Sequence, residues 1–524
     1  MIEFSAAEIA DYTNGRLSAG TDPNCLIDVA LITTDSREAS PGSMYVAKAG
    51  EHADGHDFIA AAFTAGAVLA LSEREVPRGA GGSFPAVIVA DAVASMGLLA
   101  AEVVRRIRAH SPLTVIGITG SAGKTTTKDL LAGVLSQLGD TVAPVGSYNG
   151  EVGVPLTVFR AVETTRHLII EMGATKMGQI SYLAGIVKPD IGVVLCVGSA
   201  HAGEFGSIDN IATAKGELVE ALPAGGTAIL NFDDSRVRAM ARRAGAPVTF
   251  FSSAEAGGSA HTGGAGVVNA LNVRTTGGHP EFDLVFPGSG ESHPVSSKLL
   301  GLHHVANLLA AAAAAHAAGA APADIASALS AQGPASRYRM ERTDRPDGVT
   351  IINDAYNANP ESMRAALRTL AELGAGGTRR TWAVLGEMLE LGSDSVLEHD
   401  AVGRVAVRLN ISRLIVVGTP ARSMHVGAVM EGSWGDESMF VQDADAAHQL
   451  LLRELAPGDI VLVKSSNGAG LRFLGDLLAA DRIALPSGKA ETAGGAGTGI
   501  DQSTVQGTVQ SNVQKNPGER TPQP

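Results

Sequence analysis

Residues 115–130 read VIGITGSAGKTTTKDL, an apolar run that enters the tight turn Gly120, Ser121, Ala122, Gly123 and leaves it through Lys124, Thr125 and Thr126. Leu130, Leu131, Val134, Leu135 and Leu138 then recur at helical spacing. A strand, a glycine turn and a helix start together aim backbone N–H groups at anionic oxygens. Lys124 adds a positive charge, and Thr125 a hydroxyl that can ligate Mg2+. The general phosphate loop opens on a glycine where this chain has Ile118, so the loop here is a shorter variant. A plain turn has no need of Gly-Lys-Thr in that order, and a nucleoside-triphosphate site is expected.

Other chemistry-bearing residues stand at the ends of apolar runs. Glu171 closes HLIIE and His201 follows VVLCVGSA. In a parallel sheet both would project over the edge that carries the phosphate loop, where a second cation belongs. Lys215 sits in the helical stretch IDNIATAKGELVEAL, where a solvated surface lysine is the plain alternative. NFDD, residues 231–234, ends a further strand and either contacts nucleotide or caps the next helix. DAYNANPESM, residues 354–363, follows the strand-like VTIIN. It is either an Asn/Pro turn leading into a helix or a ligand surface, and the density of hydrogen-bonding groups favours the surface. LGEMLELG, residues 385–392, follows TWAV in the same way.

The elements that must hold these residues alternate strand and helix. Residues 1–110 include HDFIAAAFTAGAVLAL, AVIVAD and the amphipathic SMGLLAAEVVRRIRAH, and read as a first domain ending at the hinge Ser111-Pro112. Residues 111–333 run strand, glycine turn, helix and then HLIIEMG, DIGVVLCVG and TAILNF, the pattern of a doubly wound, mostly parallel sheet. Within them 248–298 is a polar, Gly-rich, β-rich extension, followed by the Ala-rich helix HHVANLLAAAAAAHAAG. Residues 334–485 repeat the α/β rhythm as a third lobe, and 486–524 have too little apolar surface to offset the entropy of ordering, so a disordered tail is expected.

Composition narrows the function further. The chain has 524 residues, 45% hydrophobic and 18% charged, with no apolar run long enough for a membrane span. Its opening residues carry early acids rather than a basic-then-apolar leader, which points to the cytoplasm. With 40 Lys+Arg against 54 Asp+Glu the net charge is −14, which disfavours nucleic acid as a partner. Cys25 and Cys196 are too far apart for a metal motif and read as core thiols.

Together the motifs resemble the Mur ligase family. GITGSAGKTTTKDL is similar to the family's short GxxGKT loop, and DAYNANPESM looks like the signature of the members that add D-alanyl-D-alanine. The likeness extends from TTDSREASPGSMYVAKAGEHADGHDFI to VLVKSS, all but the tail. It implies an α/β protein of three domains: an N-terminal one for the UDP-sugar, a central ATPase domain and a C-terminal Rossmann-like one. The implied reaction uses ATP and Mg2+. ATP phosphorylates the terminal carboxylate of UDP-N-acetylmuramoyl-tripeptide, and the amine of D-alanyl-D-alanine attacks the acyl phosphate. A monomer is expected.

The resemblance also implies roles by position. Gly120, Ser121, Ala122, Gly123, Lys124, Thr125 and Thr126 match the ATP loop. Lys124, Glu171, His201 and Lys215 match the catalytic group, with Thr125, Glu171, His201 and, if carbamylated, Lys215 as Mg2+ ligands. Asn307 matches the adenine pocket, Asp354 the ribose, and Arg339 the arginine entering the C-terminal domain. Tyr356, Asn357 and Asn359 fall near the dipeptide, and Asp35, Ser36 and Arg37 near the uridine. SYNGEVGVPLT matches a family loop through Asn149, Gly153 and Pro155. The chain departs from the family at His304, where Asn is usual, at Ala49, where a basic residue is usual, and at Ser465, where Gly is usual. A nucleotide-switched binding protein is the alternative from another class. Lys215, the Glu171/His201 pair and a third lobe able to close over a second substrate all disfavour it.

Overall fold

The computed structural model describes residues 1–480 except 51–52, 199–201, 255–265, 378 and 434. His201 and the expected tail, 486–524, lie outside the described residues. Three parallel-rich sheets follow one another along the chain, which gives the mixed α/β architecture expected. The first has five strands, in the order Arg16–Leu17, Ala86–Ile88, Leu69–Ser72, Met44–Ala47, Ile32–Thr33, and only the Arg16–Leu17 pairing is antiparallel.

The second sheet has nine strands. Its parallel part runs Thr141–Val142, His167–Glu171, Thr114–Thr119, Ile191–Val194, Thr227–Asn231, Val248–Ser252, Gly266–Thr276. His279–Val285 and Ser292–Ser296 extend it antiparallel, so the β-rich extension is the edge of the central sheet. After Thr114–Thr119 the chain adds strands to one side, then crosses to the other with Ile191–Val194. Ligands of doubly wound sheets bind at such a switch point. The strand Thr114–Thr119 is buried on both faces, as a central parallel strand must be. Val115 faces one apolar cluster, whereas Ile116 and Ile118 face the other. The Ala-rich helix His304–Ala317 is buried almost all round, because its small side chains let it lie against both the sheet and the helix Lys124–Leu135.

The helix Ala92–His110 starts on an Asp91 cap and ends before Ser111, whose extended backbone suits the following proline. Its apolar face does not stop at the first sheet. One cluster of buried side chains includes Ile9, Val46 and Leu99 of the N-terminal part and Leu183, Val187 and Leu218 of the central part. Gly97 lies so close to the helix Gln179–Val187 that a Cβ there would sit 2.6 Å from the Tyr182 hydroxyl.

The third sheet has six strands, Glu341–Asp344, Thr350–Asn353, Ile460–Lys464, Thr381–Leu385, Arg413–Val417, Ser438–Val441, all parallel but the first. Each face has its own core: Ile352, Leu367 and Leu385 on one side, Ile351, Trp382 and Val384 on the other. No helix among the described residues is long and apolar enough to cross a membrane.

Candidate active site

The phosphate loop follows the central strand at the switch point and opens the helix Lys124–Leu135. Gly123 has φ +83, and a Cβ there would collide with the Asn307 side-chain oxygen, so only glycine suits this corner. Ser121 ties the loop to the next strand end: its hydroxyl donates to the Gly198 carbonyl at 3.2 Å and accepts from the Gly198 N–H at 2.9 Å. Lys124 Nζ donates to the Gly120 carbonyl at 2.8 Å. Burial pulls its ammonium below the usual lysine range, while Glu171 opposes that shift.

Glu171 is fully buried and closes the strand His167–Glu171. Its Oε2 accepts from Thr125 Oγ1 at 3.0 Å, and its Oε1 from Ser147 Oγ at 2.8 Å and Asn149 Nδ2 at 2.9 Å. The loop carrying Ser147 and Asn149 is braced by Lys128, whose buried Nζ donates to the Pro144 carbonyl at 2.9 Å. Lys215 is also buried, on the helix Ile208–Glu220 rather than on a solvated face. Burial, with the Lys124 charge second, brings its pKa down from 10.5 to about 7. Cys196 packs against the central apolar core, as expected of a core thiol, and also reaches the site. It is half-buried on the cavity wall, and the Ala122 N–H donates to its Sγ at 3.4 Å. Among the described residues no three His, Cys, Asp or Glu side chains cluster as a metal cage.

The six-stranded domain supplies the opposite wall of the same cavity, which encloses about 480 Å³. Arg339 Nη2 donates to Thr125 Oγ1 at 3.1 Å, and its guanidinium carbon lies 4.4 Å from the Tyr356 ring centroid. Arg339 Nε is buried without a hydrogen-bond partner among the described residues. Asp354 Oδ2 accepts from the buried Lys464 Nζ at 2.6 Å, and Oδ1 from the Met340 N–H at 3.0 Å. Asn359 caps the helix Pro360–Gly374 in a capping box with Ser362, and its Nδ2 reaches the Ser121 carbonyl at 3.3 Å. Asn357 lines the cavity on the exposed side.

Asn307 lies beneath the loop, where its Oδ1 accepts from Thr127 Oγ1 at 3.4 Å and its Nδ2 meets His304 Nδ1 at 3.2 Å. That contact makes His304 Nδ1 the acceptor and leaves the ring proton on Nε2. Burial holds His304 well below its usual pKa and His303 at about 4, so both rings are neutral.

The cavity therefore gathers Ser121, Ala122, Gly123, Lys124, Thr125, Thr126, Asn149, Glu171, Asn307, Arg339, Asp354, Tyr356, Asn357 and Asn359. Gly120 supports it through its carbonyl. Lys215 stands behind the lining, close enough to interact electrically with Lys124 and Cys196. Asp35, Ser36 and Arg37 are not part of this cavity; they lie by the five-stranded sheet, where Arg37 is 88% exposed and pairs with Asp35 at 2.5 Å. Ser147, Cys196, His303 and Lys464 line the cavity without having been singled out from the sequence as site residues. Lys464 had a signal: like Glu171, it is the last residue of a parallel strand.

This fold and site belong to a known class. The description "Mur ligase middle domain" matches residues 118–315, "Mur ligase, glutamate ligase domain" 338–467, and "Mur ligase family, catalytic domain" 28–119. The chain belongs to the Mur ligase family. More particularly, it is 44% identical to the UDP-N-acetylmuramoyl-tripeptide--D-alanyl-D-alanine ligase of Mycobacterium tuberculosis, over 92% of this chain and 98% of that one. Among solved structures it is similar to MurF from Acinetobacter baumannii, with 29% identity, a TM-score of 0.80 and coverage of 92% of this chain and 100% of that one. It is also similar to the MurF ligase from Thermotoga maritima in complex with ADP, with 25% identity, a TM-score of 0.71 and coverage of 86% and 98%.

Proposed function

We propose that this chain is an ATP-dependent ligase that joins D-alanyl-D-alanine to UDP-N-acetylmuramoyl-tripeptide, forming ADP and phosphate at the cytoplasmic stage of peptidoglycan precursor synthesis. The observation behind it is the meeting of the phosphate loop with DAYNANPESM in one cavity, through Asn359 to Ser121, beside the bond from Arg339 to Thr125. Two substrates have to meet there: a phosphorylated carboxylate on one wall and an amine on the other.

The loop N–H groups and Lys124 bind the triphosphate, and Arg339, whose buried Nε has no partner among the described residues, adds charge from the facing domain. Asn307 contacts the adenine and Asp354 the ribose. Glu171 and the Thr125 hydroxyl form a hard-oxygen donor pair that fits Mg2+, which keeps most of its waters and takes one or two protein groups. When bound, Mg2+ offsets the crowded negative charge of phosphates and carboxylate. His201 and carbamylated Lys215 are the remaining proposed ligands. Lys215 is suited to that modification, because an amine with a pKa of about 7 is about half neutral near pH 7 and can add carbon dioxide with loss of a proton.

Phosphorylation makes one carboxylate oxygen part of a good leaving group, so the dipeptide amine can attack the carbonyl carbon and that oxygen departs with the phosphate. Tyr356, Asn357 and Asn359 lie where they can orient that amine, and the docked domain excludes water from the acyl phosphate. Asp35, Ser36 and Arg37 hold the uridine end of the acceptor at a distance from the phosphates. We assign residues 1–110 to the acceptor's UDP-sugar, 111–333 to ATP and 334–485 to the dipeptide, with a monomer as the working unit.

A coupled phosphate-release assay tests this function. Release is expected only when UDP-N-acetylmuramoyl-tripeptide and D-alanyl-D-alanine are both supplied with ATP and Mg2+. Equal release with a single free amino acid in place of the dipeptide, or with no acceptor, would overturn it.

A further inference from the structure

Residues 336–340 carry the chain from the nine-stranded sheet to the six-stranded one, and their backbone is unusual. Tyr338 has φ +61 and Met340 φ +51. Large non-glycine side chains seldom enter this left-handed region, and they remain there only where surrounding contacts over-determine them. Arg339 stands between the two.

The segment is fastened on both sides. Towards the phosphate loop, Ser336 Oγ donates to Asp129 Oδ2 at 2.6 Å and Arg339 Nη2 to Thr125 Oγ1 at 3.1 Å. Thr125 and Asp129 are one turn apart on the helix Lys124–Leu135, so the linker runs along that face. Towards the six-stranded domain, the Tyr338 N–H donates to Glu341 Oε2 and its hydroxyl to Asp476 Oδ2, both at 2.9 Å. The Met340 N–H donates to Asp354 Oδ1 at 3.0 Å, and its side chain is buried in that domain's core. The guanidinium between these anchors reaches Thr125 and lies over the Tyr356 ring.

We infer that Tyr338 and Met340 are positioning residues, whose left-handed backbone on either side of Arg339 holds its guanidinium against the phosphate loop. The strain is kept by the contacts of the docked domain and relaxes when that domain swings away, carrying Arg339 off the nucleotide. This rests on the ligase function proposed above and names the backbone device that couples domain position to phosphate binding.

Binding of ADP with Mg2+ to the full chain, followed by titration calorimetry, tests the device without any acceptor. Tyr338→Val puts a β-branched side chain where positive φ is most costly and should weaken binding about tenfold. Tyr338→Phe, which removes only the hydroxyl, and Tyr338→Asn, which accepts positive φ readily, should stay within about threefold of the unaltered chain. In an Arg339→Ala background, Tyr338 and Tyr338→Val should bind alike. A second comparison avoids dependence on the valine variant folding. Tyr338→Ala and Tyr338→Asn both lack the ring, and the Asn variant should bind more tightly because it tolerates the left-handed backbone. Equal affinity of Val variant and unaltered chain, equal affinity of the Ala and Asn variants, or a valine loss that adds in full to that of Arg339→Ala would each overturn the inference. Failure of the unaltered chain to bind ADP at all would overturn the nucleotide function itself, a result distinguishable from these.

Discussion

Glu171 is enclosed by donors: Thr125, Ser147 and Asn149 all hydrogen-bond its carboxylate. Glu171→Gln keeps the shape but removes the charge a cation needs. Phosphate release should fall by about a hundredfold or more, with the loss largest at low Mg2+, as steady-state assays across a Mg2+ series would reveal. At Lys215 the sign of the pH effect follows from burial. The folded amine loses its proton near pH 7, whereas an unfolded lysine keeps it to about 10.5, so the folded chain binds fewer protons in that window. The lysine's penalty on folding is therefore greatest below pH 7 and is relieved as the pH rises from about 7 towards 10.5. Carbamate formation, read by carbon-13 NMR at fixed dissolved carbon dioxide, should rise with pH through the same lower limit. Glu171 was legible in the sequence because a carboxylate ending a parallel strand has to face the ligand crevice. Ser147 and His303 were not, because their place in the site comes from partners that folding brings in from distant strands. Cys196 was legible as a core thiol but not as part of the site, since two isolated thiols carry no hint of which one underlies a turn.

Among elements, the helix Pro360–Gly374 shows how a local signal acquires a distant task. Asn359 and Pro360 form an N-cap followed by proline at the first position, a helix start readable from sequence alone. The capping side chain also reaches the Ser121 carbonyl across the cavity. Asn359→Ala should cost about 1 kcal/mol of stability in denaturant unfolding through the lost cap. It should also raise the KM for ATP, which an unrelated cap substitution would leave alone. Strand and helix order was legible throughout, because apolar runs such as TVIGIT and HLIIE are what buried parallel strands require. The attachment of 266–296 to the central sheet was less so, since its alternating pattern fits any half-buried antiparallel strand. The near-complete burial of the Ala-rich helix was also hidden, because alanine fits exposed and buried helix faces alike.

At the scale of the whole molecule, the domain of the nine-stranded sheet and the six-stranded domain also meet away from the phosphate loop and Arg339. Gly203 and Gly392 face each other so closely that a Cβ on Gly203 would lie 2.7 Å from the Gly392 nitrogen. Gly203→Ala should hold the domains apart, lowering kcat between about tenfold and a hundredfold and enlarging the radius of gyration seen by small-angle scattering with ATP and Mg2+. Side chains from both sides of residue 110 share one apolar cluster, whereas the six-stranded sheet is sandwiched between two clusters whose buried members, but for Leu300, come from its own domain. Differential scanning calorimetry should therefore record two endotherms rather than three: one in which the first two sheets melt as a single cooperative unit, and one for the third. A core mutation such as Leu99→Ala should move the first endotherm, including signals from the ATP end of the chain, and leave the other in place. Heat would then divide the molecule between its second and third sheets, with Arg37 and the phosphate loop on the same thermodynamic side.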